Sequence, residues 1–151
     1  MLLHRPNQSK PMRPIKRIVL HTTASSTKAT AASILRYFRE VKKWRNPGYH
    51  VIIERDGKPV YTHPFEKVAN GARGYNADSI HVSYIGGIDE KGKPTDNRTE
   101  QQKQTMAEVV EDLFGLFPGA EVVGHRDLPG VRKACPCFDV SEWLKEINLK
   151  P

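Results

Sequence analysis

Short β-branched runs alternate along this chain with stretches of helical period, and that alternation is what most limits the folds open to it. Residues 16–21 (KRIVLH), 49–54, 79–85 and 120–123 read as strands. Asp56-Gly57 reads as a hairpin turn into a further strand at 59–62. Between the first two runs, Ile34, Leu35, Phe38 and Val41 recur at helical spacing, which predicts a helix over 31–44, stopped by Asn46-Pro47-Gly48. A second helix begins at Thr99, whose spacing to Gln102 is that of a capping box. It carries Met106, Val109, Val110, Leu113 and Phe117 as its apolar stripe and ends at Pro118-Gly119. Asp139 is placed to cap a short last helix bearing Trp143, Leu144 and Ile147. Residues 64–78 show no period and read as a surface loop. The fold class that follows is mixed α/β: a central mixed sheet flanked by about three helices.

The 151 residues suffice for one domain with a real core. Residues 1–14 read as a flexible, proline-rich arm and 15–151 as a single domain. The start lacks the apolar core and small-residue cleavage site of a secretory signal. No apolar run is long enough to span a bilayer, so no membrane insertion is expected. The formal charge of +7 favours a polyanionic partner such as nucleic acid, anionic lipid or bacterial cell wall. The common nucleic-acid signatures are missing: there is no paired Cys/His finger, aromatic RNA-binding strand or phosphate-binding glycine loop.

Two histidines stand at strand ends, His21 on the first run and His125 after the last. Cys135 follows in the loop beyond His125, next to Pro136. Catalytic zinc takes three such ligands from rigid positions and keeps a fourth position open. Spacing alone leaves two readings: a metal site, or two buried histidines satisfied by backbone. Cys135 and Cys137, one residue apart, are poorly placed to pair with each other. Cys137 reads as a small packing group, His50 as structural, and His4 and His63 as solvated. Arg36, Arg39, Lys42 and Lys43 read as a solvated helix face.

Six segments in order carry a resemblance: IVLHTTAS (18–25), GYHVIIERDG (48–57), ARGYNADSIHVSYIGGID (72–89), the helix from Thr99, VVGHRDL (122–128) and KACPCFD (133–139). Together they resemble the type 2 N-acetylmuramoyl-L-alanine amidases of the phage-lysozyme type, which share a fold with peptidoglycan recognition proteins. The resemblance implies one Zn2+ per chain on His21, His125 and Cys135, with Tyr49 and Lys133 as catalytic residues beside it. It implies hydrolysis of the amide between the lactyl group of N-acetylmuramic acid and L-alanine of the stem peptide, in peptidoglycan or muropeptides. A monomer with no specific nucleic-acid partner is expected. The expected route is synthesis in the cytoplasm, then action on the wall after release, as for an endolysin. Delivery as an injected effector and cytoplasmic recycling are the other contexts.

The chain departs from the family at three places. Ser83 stands where many relatives carry a general-base Glu, and Glu54 falls on the wrong face to replace it. His81 stands where the family usually has Gly, and a histidine before ARGYN is replaced by Gly71 or its neighbour. His81, on the face of Ser79 and Ser83, and Arg73, a two-pronged donor for carboxylate, are the expected substrate contacts. The alternative is a non-catalytic peptidoglycan-binding module of the same fold. A second, charge-driven role in binding protein or nucleic acid is weaker.

Overall fold

The computed structural model describes residues 12–149; His4 and most of the expected arm lie outside the described residues. Strands β1 (Arg17–Thr22), β2 (Val51–Ile53), β3 (Pro59–Tyr61), β4 (Ser79–Tyr84) and β5 (Glu121–Gly124) form one sheet in the order β3-β2-β4-β1-β5. β1 runs parallel to both β4 and β5, β2 parallel to β4, and only the edge strand β3 is antiparallel. The mixed α/β architecture expected from the alternating pattern is therefore present, with three α-helices among the described residues.

Side-chain alternation gives the sheet two different faces. Ile18, Leu20, Val51, Ile53, Ile80, Val82 and Tyr84 point to one of them and are fully buried. Helix α2 (Glu100–Leu116) covers this face with Met106, Val109, Val110 and Leu113, and α3 (Val140–Glu146) adds Val140, Trp143 and Leu144. Thr99 and Gln102 form the expected capping box. Gln102, itself fully buried, also donates to the carbonyls of Ile53 and Ile85 and so ties α2 to two strand ends. Asp139 caps α3 by accepting from the Glu142 amide.

The second face carries Val19, His21, Ile52, His81 and Ser83, all buried. Helix α1 (Ala31–Glu40) covers only part of it, through Ala31, Ile34 and Phe38 on Ile52 and Ile85. Its N-terminus is held by a Thr30/Ser33 capping box and by Glu54, whose Oε2 accepts the Ala31 amide at 2.9 Å. The helix ends four residues short of the extent expected from periodicity. Lys43 turns left-handed (φ 58°), and Trp44 folds back to stack on Phe38 with ring centroids 5.3 Å apart. Packing of that partly buried aromatic pair takes the place of another helical turn, and Val41 is left 65% exposed.

Arg13, inside the expected arm, is docked rather than loose. Its guanidinium donates to the carbonyls of Phe65, Ala77 and Ser79. Among the described residues no helix is long and apolar enough to cross a membrane.

Candidate metal centre and its cleft

Parallel strands that end at one sheet edge bring their following loops together, which is where ligands bind in open α/β sheets. In the β1–β5 register Leu20 pairs with Gly124, so the next residues, His21 and His125, come side by side. Their ring centroids are 4.7 Å apart. The loop after β5 returns at Cys135, whose carbonyl accepts the Arg126 amide at 2.8 Å. His21, His125 and Cys135 thereby place one donor atom each within 4.8 Å of one another. The His21 Nδ1 to Cys135 Sγ separation is 3.8 Å, which one ion with bonds of about 2.0–2.3 Å bridges.

The electrostatics of the two imidazoles suit a metal, whereas the thiol must give up a proton to bind one. Burial, then the neighbouring His81, His125 and Lys133, holds His21 well below the usual histidine range. Burial and Lys133 bring His125 down to about 4. Both imidazoles are therefore neutral at pH 7, the form that ligates. Burial pushes the Cys135 thiol up to about 12, opposed by the Thr22 amide, which donates to Sγ at 3.2 Å. The Cys135–Pro136 peptide is cis.

The three donors lie at the head of a cleft of about 360 Å³ that Tyr49, Lys133 and Arg73 also line. Tyr49 stands 5.2 Å from His21, ring to ring, and its hydroxyl donates to the Thr22 carbonyl at 3.3 Å. Burial raises its pKa, so the phenol is a hydrogen-bond donor at neutral pH. Lys133 and Arg73 are exposed at the rim. Ser83 is fully buried beside Tyr49, close enough for its hydroxyl to interact with the phenol. Glu54 caps α1 and does not line the cleft.

His81 is not where a substrate contact would be. It is fully buried behind His21, with Nδ1 2.8 Å from His21 Nε2 and Nε2 2.8 Å from Asn76 Oδ1. Gly71 packs on its ring: a Cβ there would come within 2.4 Å of His81 Cγ.

Other residues refine the sequence reading. His50 is buried and structural, accepting the His81 amide on Nδ1. His63 is buried rather than solvated, because its Nε2 sits 3.1 Å from the Val68 carbonyl. Cys137 is only partly buried, at φ 71°, with Sγ on the Gly87 carbonyl. Arg36, Arg39, Lys42 and Lys43 are exposed as expected, although Lys42 also lies 5.5 Å over the Trp44 ring at the cleft wall. Asn76 and the Thr22 amide were missed. The first lies in an aperiodic loop, and the second is a backbone group that no residue type advertises.

Residues 11–138 match the family described as N-acetylmuramoyl-L-alanine amidase. The endolysin of Enterobacteria phage K11 is 39% identical over 128 residues, covering 83% of each chain. The endolysin of Escherichia phage T7 is 36% identical over 115 residues, covering 76% of this chain and 75% of its own. An endolysin amidase from Clostridium intestinale URNW superposes with a TM-score of 0.78 at 22% identity over 99% of both chains. Bumblebee peptidoglycan recognition protein SA does so at 0.70, with 16% identity, over 95% of this chain and 87% of its own. These last two show the shared fold. With most of its length matched to one family and relatives of this identity, the chain belongs to the N-acetylmuramoyl-L-alanine amidases.

Proposed function

We propose that this chain is a zinc-dependent hydrolase of the bond between N-acetylmuramic acid and L-alanine in peptidoglycan, acting as a monomer with one zinc on His21, His125 and Cys135. The convergence of two neutral imidazoles and one thiol at the head of an open cleft carries the reading. Three protein donors facing a cleft match a catalytic zinc site, whereas structural zinc sites are closed by four. Bound there, zinc supplies Lewis acidity and a nucleophile at neutral pH by lowering the pKa of water.

The chain's own groups do the rest. Tyr49, kept protonated by burial, donates a hydrogen bond toward the reacting carbonyl and relays to the departing amine nitrogen the proton that the attacking water gives up, ending protonated as it began. Lys133 brings a positive charge to the developing oxyanion. Arg73, exposed at the rim, binds a stem-peptide carboxylate. Among the described residues no carboxylate lines the cleft to act as general base, so proton handling falls to Tyr49 and Lys133. Curated relatives named endolysins support action on the wall after synthesis in the cytoplasm and release.

Purified protein is expected to contain one zinc by elemental analysis and to release stem peptides with L-alanine at their N-terminus from isolated peptidoglycan. Cys135→Ser is expected to lose both zinc and hydrolysis. A zinc-loaded protein that leaves muropeptides intact yet sediments with the wall would establish the binding module instead.

A further inference from the structure

We propose that His81 and Asn76 are positioning residues: a hydrogen-bonded relay from Asn76 through His81 fixes the tautomer of His21 and presents its Nδ1 lone pair to the metal. The inference rests on the reading of His21, His125 and Cys135 as metal ligands.

The relay can be followed atom by atom. Asn76 Oδ1 lies 2.8 Å from the Ala72 backbone nitrogen. That nitrogen can only donate, so the contact identifies the Asn76 atom as the oxygen and fixes the amide's orientation. The same oxygen faces His81 Nε2 at 2.8 Å, so Nε2 must carry a hydrogen. His81 is fully enclosed and neutral, which leaves a lone pair on Nδ1. That lone pair faces His21 Nε2 at 2.8 Å, so His21 donates through Nε2–H. The hydrogen of a neutral His21 is then accounted for, and its Nδ1 is bare on the side of Cys135. The other His21 tautomer would press two lone pairs together in a site without water and turn an N–H toward the metal. Both errors are costly in a buried site.

Gly71 is the third part of the device. With a Cβ 2.4 Å from His81 Cγ and 2.5 Å from Nδ1, any side chain at 71 would push the imidazole off its partners. His50 holds the strand side by accepting the His81 backbone amide at 3.0 Å, and its ring stacks at 6.0 Å.

The test uses three variants of the whole chain, each checked for folding by its melting curve. His81→Ala removes the acceptor. Gly71→Ala keeps every polar atom but displaces the ring. His81→Asn restores an oxygen where His81 Nδ1 stood. Zinc affinity is measured by competition with a chromophoric chelator. The His21 tautomer is read in the metal-free protein from imidazole 15N shifts. His81→Ala and Gly71→Ala are expected to weaken zinc binding by about 10–100-fold, and His81→Asn to recover most of it. Wild-type His21 is expected as the Nε2–H form, giving way to a mixture in His81→Ala. Folded variants that hold zinc as tightly as the wild type, or a wild-type His21 protonated on Nδ1, would overturn the relay. A wild-type protein that takes up no zinc would overturn the metal reading beneath it, and the relay with it.

Discussion

A buried imidazole costs the fold little while neutral and much once charged. His21, His50 and His81 are all enclosed in this way. Burial brings His50 to about 3 from an ordinary 6.5, against the pull of the Lys67 carbonyl that Nε2 faces at 2.8 Å. Between those values the unfolded chain binds a proton that the folded chain refuses, so stability falls as pH falls. From pH 7 to 5 the metal-free protein is expected to lose about 2 kcal/mol through His50 alone. Urea titrations at the two pH values measure this, and His50→Gln should flatten the dependence. Equal slopes in the two proteins would show that His50 takes its proton at no cost. Tyr49 makes a different single-atom prediction: Tyr49→Phe keeps the ring beside His21 but removes the donor. It should keep zinc and lower turnover about 100-fold or more; unchanged turnover would remove Tyr49 from the chemistry. At this scale the sequence discloses residue types but not partners. His21 and His125 were visible as strand ends, and Cys135 gained meaning only from the motif around it. That His81 turns inward to His21 depends on Gly71 leaving room, which no pattern of residue types encodes.

Elements are fixed by local signals until a distant contact overrides them. The alternating β and helical periods, the Thr99/Gln102 box and the Asp139 cap were all legible because each depends on neighbours within four residues. The end of α1 was not, because Trp44 returning to Phe38 is a contact across a turn that periodicity does not see. The strand order was also hidden, since β1 lies between β4 and β5, far from it in sequence. Glu54 shows how such joints are secured. Its half-buried carboxylate, at the end of β2, accepts the first amide of α1. Glu54→Ala should therefore destabilise the protein by about 1 kcal/mol, with Glu54→Gln recovering part of it. Guanidinium midpoints would report it, and an unmoved midpoint would show that α1 is held by its apolar face alone.

The whole molecule separates what folds it from what it does. The large core lies under α2 and α3 on one face of the sheet, and His21, the strand residue of the candidate metal centre, lies on the other. Removing metal should therefore leave a folded protein, unlike a zinc finger, which depends on its ion to fold. It should still lower the melting temperature, because an ion that binds only the native state adds about 2.7 kcal/mol at a free concentration 100 times its Kd. For a chain of this size that is about 5–10 °C, and Cys135→Ser should abolish the shift. Zinc uptake carries its own signature. Burial, opposed by the Thr22 amide, holds the Cys135 thiol up to about 12, so at pH 7 it carries a proton that coordination must displace. His21 and His125 are already neutral and have none to lose. Calorimetry in buffers of different ionisation enthalpy should therefore show release of about one proton from the ligands per zinc bound at pH 7. That release should persist as the pH is lowered toward 6, where ordinary histidines would begin to add their own. A release that climbed over this range would mean that the imidazoles are charged in the free protein, and that the buried face does not prepare the site for metal.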